Sequence, residues 1–162
     1  MTDDEVHGSV VRWVRAKTKQ KTIKAYQSGK MPEGRYCMVN LTGALNVREQ
    51  PIDTEYVEDA GNVSAAAVLE REWRFSVHAY GEAPTDTLRP ILAAMHVSQA
   101  LEPQYPTLLM HEASQIRHVP DWINNAWQPR AQMDLIVRGI VRDTVGVVDV
   151  IETYSIEINR AE

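Results

Sequence analysis

Near the N-terminus the apolar residues recur at helical spacing. Val6, Val10, Trp13 and Val14 stand at i, i+4, i+7 and i+8, which gathers them on one face of a helix. Thr2 or Asp3 is placed to cap that helix, and Asp4 and Glu5 suit the positive end of its dipole. The apolar face thins beyond Lys17. Ile23 and Tyr26 fit a second short helical stretch that Ser28-Gly29 ends, and Met31-Pro32-Glu33-Gly34 reads as a turn.

The period then changes from 3.6 to 2. Residues 35–47 read as a strand, with Tyr36, Met38 and Asn40 on one side and Cys37, Val39 and Leu41 on the other. Neither side is cleanly polar, so both faces of the sheet are expected to be covered. Residues 65–80 alternate most regularly: Trp73, Phe75, Val77 and Ala79 against Arg74, Ser76, His78 and Tyr80. Beyond Gly81, one of Thr85, Asp86 and Thr87 caps a helix that takes Pro90 in its first turn. Its stripe is Leu88, Ile91, Leu92 and Met95, and it stops near Leu101. Residues 108–117, 131–142 and 147–158 read as three more strands, with Gly146 turning the chain between the last two. Residues 119–129 form a connection dense in large side chains. Consecutive strands with short links predict an α+β domain, a mixed, mainly antiparallel sheet flanked by helices.

Composition narrows the class. The 162 residues favour one domain over 1–162. With 44% hydrophobic and 24% charged residues the chain buries a real core, which excludes wholesale disorder. A single cysteine, Cys37, excludes a disulfide scaffold and reads as a small core residue. No apolar run approaches the roughly 18–20 residues of a membrane span. The acidic opening Met1-Thr2-Asp3-Asp4-Glu5 is not a signal peptide. Folding in a reducing cytoplasm, away from membranes, is expected.

Charge is unevenly placed. Residues 6–32 hold no Asp or Glu but carry Arg12, Arg15, Lys17, Lys19, Lys21, Lys24 and Lys30, in a basic helical segment over 3–30. That segment is either a solvated helix face or a surface that meets acid, whether DNA or an acidic neighbouring subunit. Residues 48–62 are the converse: Glu49, Asp53, Glu55, Glu58 and Asp59 face only Arg48, with Pro51, Gly61 and Asn62. They read as an exposed acidic loop, solvated or matched to a basic partner.

Catalytic patterns are missing from the sequence: there is no nucleophile elbow, phosphate loop or dinucleotide fingerprint. His111-Glu112 and His118 are spaced wrongly for a zinc helix, and on a strand their odd separation points them to opposite faces. No enzyme, cofactor or metal is expected. His78 and Arg74, on the polar side of the 65–80 strand, read as surface or interface residues. Trp122 and Trp127 either close the end of the core or form a hot spot with Arg130 as charged companion. Asp121 and two Asn dilute them as a single-stranded nucleic-acid site.

Four stretches carry a family likeness. They are Ala25-Tyr26-Gln27 followed by Met31-Pro32-Glu33-Gly34-Arg35-Tyr36; Val77-His78-Ala79-Tyr80-Gly81; Val119-Pro120 with Arg130-Ala131-Gln132-Met133-Asp134-Leu135; and Ile151-Glu152-Thr153-Tyr154-Ser155-Ile156-Glu157-Ile158. In this order and spacing the chain resembles the phage neck or tail terminator proteins. The resemblance implies a terminator-like α+β sandwich and a homohexameric ring. The ring would cap the tail tube and dock to the head-completion or connector protein, with the tail sheath as a further partner. Genomic DNA would pass non-specifically through the lumen, in a virion assembled in the bacterial cytoplasm. Trp122, Trp127, Arg130, Arg74 and His78 would then serve subunit contacts. The acidic loop would face the lumen or tube, and the basic segment would face an acidic partner. A ring of head-to-tail contacts needs two different patches per subunit. Two rival readings are a small cytosolic nucleic-acid-binding module using the basic segment, and an enzyme with residues scattered along the chain.

Overall fold

The computed structural model describes residues 1–28, 31–59, 62–96, 100–102, 105–123 and 125–148. Helix α1 runs Asp3–Thr18. Thr2 caps it: its hydroxyl accepts from the Glu5 N–H, and the Glu5 carboxylate accepts from the Thr2 N–H at 2.6 Å. This reciprocal box satisfies donors that a helix start leaves bare. Lys19 ends the helix in a left-handed conformation, φ 59°. Val6, Val10, Trp13 and Val14 are buried as the periodicity predicts.

Beyond α1 the chain departs from expectation. Residues 21–24 form not a helix but a strand, β1 (Lys21–Lys24), parallel to β2 (Tyr36–Asn46). Four residues carry too little local pattern to show this; the pairing with β2 decides it. Lys30 lies outside the described residues. The acidic stretch, expected as a loop, contains β3 (Asp53–Asp59), antiparallel to the start of β4 (Asn62–Tyr80). Thr54, Tyr56 and Val57 supply the strand propensity that the dense charge obscures.

Helix α2 (Pro84–Met95) starts earlier than expected, with Ala83 at its N-cap in the left-handed region and no side-chain cap. Pro84 replaces a capping partner by removing the N–H that would need one. Pro90 therefore falls in the second turn, not the first. The helix stops at Met95, and Leu101 belongs to β5 (Ala100–Glu102). There follow β6 (Tyr105–Ala113), β7 (Arg117–His118), β8 (Asp121–Ile123), β9 (Ala126–Gln128) and β10 (Arg130–Val148). Gly146 does not turn the chain. It sits at φ 125° beside a bulge where the register shifts between Thr144 and Gly146, and β10 continues through it. The strand expected over 147–158 is thus, as far as Val148, the end of β10; the rest lies outside the described residues, as does the fourth stretch of the family likeness.

The main sheet has the order β1-β2-β4-β10-β6-β5, with β3 added to β4 and β7 to β10; among the described residues only β1–β2 is parallel. Both helices pack on one face. Val6, Val10 and Val14 of α1 and Leu88 and Ile91 of α2 share a core with Cys37, Val39, Trp73, Phe75, Val77, Met133, Leu135 and Val137. Among the described residues no helix covers the other face of β4 and β10, where polar side chains, many of them paired, surround the half-buried Ile136 and Ile140.

Two tethers fix α1 to the sheet. The Trp73 indole N–H donates to the Asp3 carboxylate at 2.8 Å, and Arg71 reaches the other oxygen at 3.3 Å. Trp73 is fully buried, so losing its acceptor leaves an unpaired donor in the core. Asp3→Ala is expected to cost about 1–3 kcal/mol, read as a lower urea midpoint with an unchanged m-value. One turn on from Asp3, His7 Nε2 lies 3.0 Å from the Val39 carbonyl oxygen and donates to it, with the ring against Phe75. Burial lowers the His7 pKa below 6.5, outweighing the carbonyl contact. The folded state therefore holds His7 neutral while the unfolded chain protonates it. Stability is full above about pH 6.5 and falls as the pH drops below that value. Denaturation at pH 7.5 and 5.5 should show this loss, and His7→Gln, which keeps a donor, should reduce it, leaving the share of His78, whose pKa burial also lowers.

Candidate assembly interface

Strands β8 and β9 form a separate two-stranded hairpin just before β10. Asn125 takes φ 61° at its turn, a conformation Asn tolerates. Trp122 and Trp127 are directly paired across the hairpin, ring centroids 5.0 Å apart and planes at 70°, an edge-to-face contact. They do not close the core. Trp122 is 56% and Trp127 67% exposed.

An isolated two-stranded hairpin is marginal in water, and this one is clamped at its base. Arg130 pairs with the Asp121 carboxylate and also donates from Nε to the Val119 carbonyl at 3.1 Å. The Val119 N–H donates to the Arg130 carbonyl at 2.9 Å, and the Gly81 N–H to the Pro129 carbonyl. Arg130 is thus a positioning residue for the tryptophans. Asp121, which in the sequence reads only as a diluting charge, proves to be its partner, a role visible only once the hairpin brings residues nine apart together.

His78 lies near this base. Arg130 pairs with Tyr80, and His78 with Gln132. The His78 ring stacks near Tyr80, with Tyr36 stacked on Tyr80 at 4.8 Å. His78 Nδ1 is buried without a hydrogen-bond partner, and burial first, then the Arg130 charge, lowers its pKa. It is a neutral, half-buried residue rather than an exposed one. Arg74 lies further along the strand, where its Nε donates to Glu72 at 2.9 Å. The structure therefore groups Trp122, Trp127, Arg130 and His78 at one end of the sheet and leaves Arg74 apart.

The same polar face contains Glu72, only 4% exposed. Arg138, directly across on β10, donates to it from Nε and Nη2 at 3.0 Å each. The Arg74 hydrogen bond, with Arg138 beside it, holds the Glu72 carboxyl below its ordinary pKa. Asp134 accepts from Ser76 at 2.9 Å and pairs with Arg117, and its N–H donates to Ser114. These groups are saturated by one another, which leaves none set up to act on a substrate.

At the far end of the sheet β3, β4 and β10 form an arm. Strand β2 stops pairing at Arg71, and the first residues of β4 continue to Asn62 between β3 and β10. At about 3.3 Å per residue the arm extends roughly 30 Å past β2. Arg142 of β10 reaches across β4 to Glu55 at 2.9 Å and braces it. Tyr56, Val57, Val145 and Val147 are exposed on the arm. Asp53 and Glu58 are exposed as well.

The basic residues divide. Lys24 pairs with Asp4, and Lys17 lies 5.7 Å from the Trp13 ring centroid. Arg12 donates to Ser9 at 3.2 Å. Arg15, Lys19 and Lys21 instead line a cleft of about 720 Å³ between α1 and β1, with Arg12, Ala16, Gln20 and Thr22. Among the described residues no cluster of His, Cys, Asp and Glu is arranged to hold a metal.

Comparison with known proteins places this architecture. The solved sheath/tube terminator of an extracellular contractile injection system, PVC, in its extended state is similar with a TM-score of 0.58 and 11% identity. The match covers 100% of this chain and 65% of that one, so this chain spans less than two thirds of the other's length. At that identity the likeness concerns the fold, which is terminator-like α+β. A search of the curated proteins finds no match. The family described as phage neck terminator protein matches residues 4–161, which takes in α1, the arm and the tryptophan hairpin alike. The chain belongs to the phage neck terminator proteins, a family of structural virion components at the end of the tail and not of enzymes.

Proposed function

We propose that six copies close a ring that caps the tail tube, joins it to the head-completion or connector protein, and passes genomic DNA through its lumen without reading sequence. The tail sheath is a further axial partner where one is present. The tail-terminator role comes with the family; the ring is our reading. The observation that supports it best is the tryptophan hairpin. Two large aromatic side chains stand in solvent on a braced element outside the core. Trp is among the residues most enriched at interface hot spots, where a rigid aromatic loses little entropy on contact. An Arg130–Asp121 clamp that only displays two tryptophans makes sense when a neighbour covers them.

Truncating such an anchor typically costs about 2 kcal/mol or more, over tenfold per contact. Mass photometry of the wild-type chain should show rings of about six copies. Trp127→Ala should shift them toward monomers at the same concentration with an unchanged circular dichroism spectrum, since the side chain supports nothing in the core. Arg130→Ala should act in the same direction through loss of the clamp. A wild-type chain that is monomeric at every concentration and inside the particle overturns the ring.

A further inference from the structure

We infer that the acidic edge of β3 in one subunit docks into the basic cleft between α1 and β1 of the next copy of this chain. The inference rests on the ring reading and names the pair of patches that would close it.

Both surfaces are sheet edges. β1 ends the main sheet and pairs only with β2, and β3 pairs only with β4, among the described residues. Each therefore presents unpaired main-chain N–H and C=O groups on its outer side. Such an edge is a template for a further strand, and main-chain pairing of this kind is a common recognition mode. The edges lie at opposite ends of the subunit. Lys21 of β1 is level with Tyr36 and Tyr80, whereas β3 lies alongside the first residues of β4. At their nearest, β1 is level with Val77 of β4 and β3 with Val68, nine positions apart, a contour of roughly 30 Å. Patches so far apart cannot meet within one chain, but they can meet between copies in a head-to-tail series.

Charge selects the occupant. β3 contains Asp53, Glu55, Glu58 and Asp59 and no Lys or Arg. Glu55 is taken by Arg142 within the arm, which leaves Asp53 and Glu58 exposed. The cleft is lined by seven residues, none of them acidic. Arg15, Lys19 and Lys21 are exposed there, and none has a carboxylate partner among the described residues. An acidic strand with an open edge thus matches a basic cleft beside an open edge, in sign and in backbone chemistry. The arm's exposed Tyr56 and Val57 gain cover in the same contact. The receiving cleft and the tryptophan hairpin both lie toward the Tyr36–Tyr80 end of the sheet, so one neighbour can engage both.

Two charge-reversed variants test this. One carries Asp53→Lys and Glu58→Lys on the arm; the other carries Arg15→Glu and Lys21→Glu in the cleft. All four positions are exposed, and circular dichroism and thermal unfolding check that each variant folds. By mass photometry at 0.1 M salt, each variant alone should need at least about tenfold more protein to form rings than the wild type, because each juxtaposes like charges. An equimolar mixture should recover rings, since each reversed arm then meets a reversed cleft and each native arm a native cleft. Wild-type rings that persist unchanged in both variants overturn the contact and leave the ring reading standing. Failure of the mixture to recover also overturns it. A wild-type chain that never forms rings removes both. Unchanged rings in the cleft variant, together with loss of salt-sensitive duplex binding, would assign the cleft to DNA instead.

Discussion

Everything in this fold depends on one antiparallel pair. Strands β4 and β10 are each 19 residues long and remain paired from Tyr80–Arg130 to Val63–Val148. Along part of that length they are the floor of the core: Trp73, Phe75 and Val77 lie beneath the helices beside Met133, Leu135 and Val137. Farther on they continue as the arm, with β3 alone beside them among the described residues. Their other terminus holds the base of the tryptophan hairpin through Arg130 and through the Gly81–Pro129 hydrogen bond. A ladder this long transmits position rigidly, so one pair of strands fixes both the arm and the hairpin. The bulge at Thr144–Gly146 lets the arm twist without ending the pairing.

The two faces of that pair have separate chemistry. One is apolar and covered by α1 and α2. The other is polar and holds its charges in matched sets, Glu72 between Arg74 and Arg138, and Asp134 between Ser76 and Arg117. A carboxylate as buried as Glu72 is tolerable only when donors surround it, and removing one would leave a buried charge uncompensated. A catalytic face needs at least one group held ready but unsatisfied. Here Asp134, Glu72 and Gln132 are all engaged in structure. His78, neutral and unpartnered at Nδ1, and the Tyr36 hydroxyl near it are exceptions; the family itself is structural.

Where local periodicity is strong, the fold is legible in the amino-acid sequence itself. Val6, Val10, Trp13 and Val14 name the buried face of α1, and the alternation from Trp73 to Ala79 names the buried face of β4. Elements defined by a distant partner are not legible in this way. β1 has four residues with no clear pattern and exists because Lys21–Lys24 pair with Tyr36–Val39. β3 is hidden by its own charge, and Gly146 resembles a turn because nothing local distinguishes a bulge from one. Residues 119–129 announce large side chains but not their direction. Their crowding suggests a closed core end, whereas the hairpin turns both rings outward. At the candidate interface, the tryptophans are identifiable by type, while the clamp by Asp121 and the commitment of Arg74 to Glu72 emerge only from the fold. The likeness to terminator proteins, carried by order and spacing, reaches the family where no single motif does.

The placement of charge also decides which assemblies are open to this chain. The two oppositely charged strand edges can pair in three ways: β1 with β1, β3 with β3, or β1 with β3. The first two are isologous and yield closed dimers, while the third is heterologous and yields a ring or a filament. Bringing two β3 edges together sets Asp53 and Glu58 of one copy against their counterparts in the other. Bringing two β1 edges together does the same to Arg15, Lys19 and Lys21. Like-charge juxtaposition penalises both dimers, and specificity is a difference of affinities that repulsion supplies as well as attraction does. Only the mixed pairing is relieved of this cost. A subunit with open strand edges must stay free of such wrong pairings. Segregating acid to one end of the long ladder and base to the other achieves that with exposed residues alone, at no cost to the core between them.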